Sequence, residues 1–430
     1  MRGFTKRRAL MALAGAVGVA IVAAGCAEAD PLNGGENAGG PGVEFGASVE
    51  EWQAAFDEAF EDREDIEIVW QQSGAASASN APRIEAAAAR YEEYSNGHVT
   101  VELVWSDAIA PLTEATPALQ DGRIDLYGLG PNFEPSLYPL GAGILLEAYT
   151  TRSPSVVAGT LSNFGAMAET AWETPEYLAE FTDKGLQPIN PMWTTAQNVL
   201  ACREPVVTLD DIRGKQIGVV LLMQATQVEA LGGIPVTIAF ADRYEALQRG
   251  IVDCQIVGPS TLFSFPGMVE LTPYITNAEG AAFGAAGATR AFGSRWPELP
   301  LVAQQLVFDV HTWYETEDLG PTLSSILRDL HTAAIEAGGA FLELDDAATD
   351  RLAEVAEETV AGWGESELLD GEAFGERLAA NREKWDALVA EAGYSEASFS
   401  DVYGWLADSL DIEPSRRLYY EHILIPNRPR

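Results

Sequence analysis

Cationic side chains are scarce in this chain of 430 residues. Lysine and arginine total 26 against 65 aspartates and glutamates, and the formal net charge is −39. This balance argues against nucleic acid as a partner, because phosphates need a basic surface. It also disfavours electrostatic docking on anionic lipid. The plainer interpretation is a solvated acidic surface, and the sharper one is adaptation to high salt, which screens the repulsion.

Side chains that commonly carry catalysis or bind metals are also few. The chain has four histidines and three cysteines, and the histidines do not form a metal-binding motif. It contains no nucleophile elbow, phosphate-binding loop or zinc signature. The sequence therefore predicts a binding protein with no cofactor and no metal, rather than an enzyme.

The first 25 residues have the pattern of a signal peptide. A basic stretch at 2–8 precedes an apolar run at 10–24, which is too short to span a bilayer comfortably. The run ends in VAAGC, which resembles a lipobox with Cys26 as the lipidated residue. Residues 26–48 then predict a flexible linker that tethers the folded body to the outer face of the membrane. Export by the general or the twin-arginine route stays open.

Strands and helices alternate in two separate stretches. The first predicts strands at 66–70, 99–105 and 124–127, with helices between them. The second predicts strands at 197–201, 216–221, 234–236 and 253–257, with helices at 224–231 and 242–249. Each stretch indicates a parallel α/β layer, so two lobes with a cleft between them are expected. A return strand is predicted within 281–293, followed by a mostly helical region at 300–411.

Five motifs occur in one order over residues 64–340. They are YSNGHVTVELVW, LQDGRIDLYGLG, DDIRGKQIGVV, GGIPVTIAFADRYEALQRGIVDCQ and SRWPELP. Together they resemble the solute-binding family of TRAP transporters. The resemblance implies a two-lobe periplasmic-binding-protein fold of the class II type. It also implies an extracytoplasmic receptor that closes around a small organic solute and delivers it to membrane subunits. The alternatives are a substrate-binding lipoprotein of an ABC importer, or an extracellular enzyme or sensor subunit.

The resemblance divides the folded body into segments. Residues 49–195 form mainly lobe 1 and residues 196–278 form lobe 2. Residues 279–345 supply a return strand to lobe 1 and helices, and residues 346–430 are a helical C-terminal extension. Apolar residues recur at helical spacing near the end of this extension, at Tyr419, Tyr420, Ile423 and Leu424. They favour packing against the lobes over a docking surface, and hence a monomer.

Two departures from the family pattern concern the ligand. Gly218 stands where the family usually has an arginine that clamps a ligand carboxylate. Val257 and Gly258 stand where it usually has asparagine and proline. We therefore expect either a neutral ligand or an acid group held elsewhere, for instance by Arg203 or by backbone amides. Simple dicarboxylates should bind weakly.

Candidate ligand-binding residues follow the carboxyl ends of the predicted strands, where cleft ligands bind in such folds. In the first lobe and near the crossover they are Gln71, Gln72, Ser73, Gly128, Asn132, Trp193 and Gln197. In the second lobe they are Gly218, Met223, Gln224, Val257, Gly258 and Ser260. The alternatives are a solvated loop residue for each polar side chain and a core residue for Trp193.

Two cysteines remain once Cys26 is set aside. Cys202 and Cys254 both fall on predicted strands of the second lobe. Outside the cytoplasm they are expected to form a disulfide, and two buried free thiols are the alternative.

Overall fold

The computed structural model describes residues 40–78, 80–131, 134–147, 157–194, 198–238, 242–265, 267–278, 280–284, 287–364, 370–394 and 410–430. The predicted signal peptide, Cys26 and most of the predicted linker lie outside these ranges, as do Asn132 and Gln197. Within them, no helix combines the length and the apolar character needed to cross a membrane.

The first lobe is built on a five-stranded sheet. Its strands are β1 (Ile66–Gln71), β2 (Val99–Val104), β3 (Leu126–Leu129), β4 (Gln187–Thr194) and β10 (Gly287–Phe292). Their order is β2-β1-β3-β10-β4. The first three strands are parallel, whereas β10 runs antiparallel between β3 and β4. The carboxyl ends of β1 and β3 therefore meet at one edge of the sheet.

Six helices of this lobe lie in the described part of the chain. They are α1 (Val49–Ala59), α2 (Ala81–Tyr94), α3 (Ala115–Gln120), α4 (Pro139–Glu147), α5 (Ala158–Trp172) and α6 (Pro175–Thr182). Ser48 and Glu51 form a capping box at the start of α1. A proline in the first turn of α2 suits its start, because the missing N–H would have no helical partner there.

The second lobe has a six-stranded sheet of mixed direction. Its strands are β5 (Val199–Cys202), β6 (Gln216–Val219), β7 (Ile234–Thr237), β8 (Cys254–Val257), β9 (Tyr274–Asn277) and β11 (Ala340–Glu343). Their order is β11-β9-β5-β8-β6-β7. Its helices are α7 (Leu209–Ile212), α8 (Leu222–Ala230), α9 (Arg243–Arg249), α10 (Pro259–Ser264) and α11 (Met268–Leu271). Strand β5 runs antiparallel to both of its neighbours, β8 and β9.

The remaining helices connect and cover the lobes. They are α12 (Leu301–Leu323), α13 (Ser325–Glu336), α14 (Asp346–Gly364) and α15 (Gly371–Glu391), then a last helix Glu413–Tyr419 that continues through a π-helical turn, Tyr420–Leu424, to Ile425–Asn427. Helix α12 packs on α2 and β4 of the first lobe, and α13 packs on α10 and α11 of the second. Helix α15 lies along α5.

Most predicted elements occur within a few residues of their expected positions, but several differences remain. Strand β3 begins at Leu126 rather than at residue 124. Asp125 precedes it and accepts a hydrogen bond from the backbone N–H of Val69 through its side chain. Strands β4, β9 and β11 were not predicted. Strand β11 pairs with β9, so the segment 279–345 contributes to the second sheet as well as to the first lobe.

The end of the C-terminal extension is packed into the first lobe. Tyr419, Ile423 and Leu424 are 4%, 2% and 1% exposed, as the packing interpretation predicts. The last residues also close onto the start of the folded body. Gln305 donates from its side-chain amide to the carbonyl of Pro429, and Arg428 donates to the carbonyl of Val43.

Cys202 and Cys254 lie directly opposite each other on β5 and β8 and form a disulfide across 52 residues of sequence. Replacing both by serine is expected to lower the free energy of unfolding by about 2–4 kcal/mol, because the open chain gains conformational freedom when unfolded. Thermal or urea denaturation should show this loss, and peptide mapping without reduction should show the cross-link. An unchanged midpoint, or free alkylation of both thiols in native exported protein, would contradict the assignment.

Candidate functional site

A cavity of about 290 Å³ opens at the carboxyl ends of β1 and β3. Its lining residues within the described ranges come from the first lobe and from α12. They are Gln71, Gln72, Ser73, Gly74, Asn80, Leu112, Tyr127, Gly128, Leu129, Gly130, Trp193, Gly287, Ala288, Arg290, Tyr314 and Glu315. This is the sheet edge at which α/β proteins of open-sheet type bind ligands.

Arg290 is the cationic residue of the cavity wall. Its strand, β10, pairs irregularly with β4 on both sides of this residue. Such irregularities redirect side chains away from the regular pleat. The Nε atom donates to Oε1 of Glu315 at 3.0 Å. The guanidinium also lies 5.3 Å from the ring centre of Trp193, within the range of a cation–π contact.

Gly128 leaves the space that this guanidinium fills. Residues 128 and 290 are direct partners on β3 and β10. A Cβ atom at position 128 would lie 2.3 Å from Nη1 of Arg290, far inside van der Waals contact. Any larger residue would therefore displace Arg290 from the cavity wall.

Glu315 of α12 accepts a hydrogen bond from Arg290 and holds its side chain in place. Its side chain is only 2% exposed. It accepts a hydrogen bond from the side-chain amide of Asn190, and Nε2 of His311 lies 3.3 Å from its Oε1. Burial acts to raise the pKa of Glu315, but His311, Arg290 and Asn190 together outweigh burial, so the pKa is lowered. The carboxylate is therefore ionised at neutral pH.

A hydroxyl cluster lines another part of the cavity wall. Tyr127 donates to the carboxylate of Asp107, and Oγ of Ser73 is 2.9 Å from the Tyr127 hydroxyl. Burial, followed by the hydrogen bond to Asp107, raises the pKa of Tyr127 to about 12. Both hydroxyls are therefore neutral polar groups near the cavity.

Of the predicted residues that the structure describes, five line the cavity: Gln71, Gln72, Ser73, Gly128 and Trp193. Gln71 has a structural task there. Its amide nitrogen donates to the carbonyl of Ala110, and its oxygen accepts from the backbone N–H groups of Ile109 and Ala110. The loop after β2 is held in place by this side chain, which leaves little hydrogen-bonding capacity for a ligand.

The predicted second-lobe residues lie elsewhere. Gly218, Met223, Gln224, Val257, Gly258 and Ser260 are absent from the cavity wall. Gln224 is 1% exposed, donates to the carbonyl of Gly284 at 2.7 Å and accepts from the backbone N–H of Val220. It thus joins the start of α8 to the crossover segment. Among the described residues, none of these second-lobe candidates shares this cavity with the first-lobe candidates.

The sequence-based suggestion for an acid-binding arginine in the second lobe does not fit. Arg203 follows Cys202, whose partner on β8 is the first residue of that strand. Because β5 and β8 are antiparallel, Arg203 lies at the edge opposite Gly258. Its backbone N–H donates to the carbonyl of Asp253. Gly218 itself has room, since an added Cβ would be 3.6 Å from the carbonyl oxygen of Cys254.

Sequence reasoning missed Arg290, Glu315 and Tyr127. The sequence did contain a clue to Arg290. It is the one charged residue in the short strand GATRAF, whose other residues are small, neutral or apolar. Another clue was the four-residue spacing of His311 and Glu315 on α12, which places both on one helical face. Across the described ranges, no group of three or more histidines, cysteines or carboxylates is arranged to hold a metal ion.

Two α/β lobes joined by crossing strands, with a small cavity at a carboxyl edge, define a two-lobe solute-binding protein. The family model for bacterial extracellular solute-binding protein, family 7, matches residues 75–310, more than half of the chain. The chain belongs to this family. It is 25% identical over 307 residues to the C4-dicarboxylate-binding periplasmic protein DctP of Rhodobacter capsulatus, covering 68% of this chain and 83% of that protein.

Solved structures share the fold at low sequence identity. A marine metagenome TRAP solute-binding protein in complex with 3-hydroxybenzoate aligns with a TM-score of 0.62 at 17% identity, over 75% of this chain and 99% of that one. A Bordetella pertussis extracytoplasmic solute receptor binding pyroglutamic acid aligns with a TM-score of 0.59 at 14% identity, over 74% and 99%. A Rhodoferax ferrireducens TRAP protein with copurified benzoate aligns at 0.62 and 16%, over 75% and 99%. The chain is therefore an extracellular solute-binding protein of family 7, and it shares its fold with solved TRAP solute-binding proteins.

Proposed function

We propose that this receptor captures a small organic solute in the first-lobe cavity and that the second lobe closes over it. The observation that carries the proposal is the cavity itself, of about 290 Å³, at the edge where β1 and β3 end. That volume is near the lower end for small-molecule pockets, which hold a few polar groups among apolar walls. Here the polar groups include Ser73, Tyr127 and Arg290, and Leu112 and Trp193 contribute apolar surface.

The second lobe offers a surface suited to closure. Leu222 is the first residue of α8, just beyond the carboxyl end of β6, and it is 86% exposed. If the lobes close and remove this apolar side chain from water, its burial stabilises the closed form of the receptor. The closed form would then be recognised by the membrane subunits of a TRAP transporter. We further propose a monomeric receptor that is held at the outer face of the cytoplasmic membrane by a lipid on Cys26.

Related receptors support an organic acid as the solute. Their names and titles give C4-dicarboxylates, 3-hydroxybenzoate, pyroglutamic acid and benzoate as ligands. These molecules are small enough for a cavity of this size. None of those chains is more than 25% identical to this one, so the solute itself has to be found by experiment.

Binding can be tested by thermal shift with benzoate, 3-hydroxybenzoate, pyroglutamate and succinate, together with native mass spectrometry of the receptor as purified. A true ligand at a hundred times its Kd is expected to stabilise the folded state by about 2.7 kcal/mol. Ala288→Phe, which fills the cavity, should abolish the shift, whereas Ala86→Phe on the exposed face of α2 should not. The proposal fails if no compound shifts the midpoint and no small molecule co-purifies.

A further inference from the structure

We propose that Arg290 is the anion-binding residue of the cavity, and that it selects a solute with a single negative charge. The inference rests on the proposed function and concerns the chemistry of its solute. It places the acid-binding residue on β10 of the first lobe. In the second lobe, Gly218 of β6 stands where the resemblance led us to expect a carboxylate-binding arginine. The geometry, electrostatics and ordering of Arg290 each support this assignment.

The guanidinium has donors to spare. Its one hydrogen bond among the described residues is from Nε to Glu315. In that part of the chain, Nη1 and Nη2 have no acceptor, although the side chain is only 23% exposed and borders the cavity. A guanidinium bound at Nε keeps the edge between its two terminal nitrogens free. That edge matches the two oxygens of a carboxylate in a bidentate pair.

Arg290 is ordered before any solute arrives. Glu315 holds Nε, the indole of Trp193 lies against the cation, and Gly128 leaves the room that Nη1 occupies. Asn190 in turn fixes the carboxylate of Glu315. A long side chain that is already immobilised loses little conformational entropy on binding, so more of its interaction energy appears as affinity.

The charge balance of the cavity selects for one anionic group. Among the described lining residues, the charged side chains are Arg290 and Glu315. The whole chain carries a formal charge of −39, so an anion needs a dedicated cation to bind here. One cation already shared with a carboxylate can accept one further carboxylate. A second acid group on the solute would have only hydroxyl, amide and apolar neighbours and would lose its hydration without a counter-charge.

The alternative is that Arg290 and Glu315 form a closed structural pair beside a neutral solute. The two possibilities differ in their response to the solute charge. Isothermal titration should therefore compare each acid with its uncharged primary amide: benzoate with benzamide, 3-hydroxybenzoate with its amide, and pyroglutamate with its amide. Succinate serves as the dianion. We expect at least one monocarboxylate to bind at least about tenfold more tightly than its amide and than succinate.

Three variants assign the effect to Arg290. Arg290→Gln is expected to weaken the monocarboxylate by about ten- to a hundredfold and to leave the amide unchanged, with Arg290→Lys between the two. Because Arg290→Gln leaves the Glu315 carboxylate buried without its main partner, the double variant Arg290→Gln/Glu315→Gln provides a folded second test. It should show the same loss. Arg123→Gln is the matched control, since this arginine is exposed and pairs with Asp121 at the surface.

Each outcome decides the proposal. Glu315→Gln alone should retain or strengthen monocarboxylate binding, because the glutamine oxygen can still accept from Nε of Arg290 while the competing negative charge is gone. The proposal is overturned if the amide binds as tightly as the acid or if succinate binds best. It is also overturned if Arg290→Gln and the double variant Arg290→Gln/Glu315→Gln both bind the acid as tightly as the parent does. A neutral solute that co-purifies and binds would also overturn it but would leave the proposed receptor function intact. If nothing binds or co-purifies, the proposed function fails as well.

Discussion

Alanine at position 165 is expected to lower the free energy of unfolding by about 3 kcal/mol. Gly165 lies on α5, where helix α15 of the C-terminal extension packs. A Cβ atom there would be 2.2 Å from Cε3 of Trp385. The indole cannot easily retreat, because it is 1% exposed and its Nε1 donates to Glu169 at 2.8 Å. The clash outweighs the gain of about 1 kcal/mol that alanine normally brings over glycine within a helix.

The facing helix supplies the matched control for this substitution. Gly375 lies in α15, and a Cβ atom there would meet nothing within 4 Å. Gly375→Ala should therefore stabilise the protein by about 0.5–1 kcal/mol through helix propensity alone. Urea denaturation of both variants measures the two effects side by side. If Gly165→Ala were as stable as the parent, the close packing of α15 on α5 would be wrong.

The same contact explains why the C-terminal extension is a part of the fold and not an appendage. Around Trp385, Lys384 also pairs with Glu169, and Asn381 donates to Thr170 and Glu173. These polar contacts, together with the packing of Trp385, hold α15 against α5. The sequence predicts the helix from its apolar spacing. It does not predict the partner, because glycine on α5 carries no pattern that points to a tryptophan some 220 residues away in the chain.

The alternation of strands and helices could be read from the sequence because each element has a local cause. Asn96 and Gly97 adopt positive φ after α2, and Gly250 does so after α9, so these helices end where turn residues occur. Strand β11 has no comparable local cause. Its four residues, AFLE, lie within a helical region, and they are extended because they pair with β9 more than sixty residues earlier. Non-local pairing of this kind leaves no periodic pattern.

The sequence predicted where the candidate site lies better than it predicted what each residue does there. The rule that ligands bind beyond the carboxyl ends of strands found Gln71, Ser73 and Gly128. It could not distinguish Gln71, which binds a neighbouring loop, from a residue with free donors. It also passed over Arg290, since this residue lies within a strand and reaches the cavity through an irregularity in the pairing of β10 with β4. A sequence does not show where a ladder is interrupted.

Replacing Arg428 by glutamine is expected to destabilise the protein strongly at about pH 7.5 and much less at about pH 5. Arg428 is 8% exposed and binds Asp309 of α12 with both Nε and Nη2, at 2.8 and 3.0 Å. Burial raises the pKa of Asp309 from its ordinary value of 3.8 to about 6, although Arg428 acts to lower it. Without the arginine the pKa rises further. Near neutral pH the variant then buries an unpaired carboxylate, or takes up a proton, at a cost of about 3 kcal/mol.

The pH dependence follows from the sign of this shift. The folded state holds the proton on Asp309 more tightly than the unfolded chain does, so lowering the pH toward 5 favours the folded state. Protonation also removes the unpaired charge that the variant would otherwise bury. Thermal denaturation of Arg428→Gln should therefore show a smaller loss of stability relative to the parent at about pH 5 than at about pH 7.5.

Arg430→Gln, two residues further on and exposed, is the control and should match the parent at both pH values. Asp309→Asn combined with Arg428→Gln should recover part of the loss at the higher pH, because no charge is then buried. An equal deficit at both pH values would show that the arginine stabilises the end of the chain by packing and by its bond to Val43, and not by compensating the charge of Asp309.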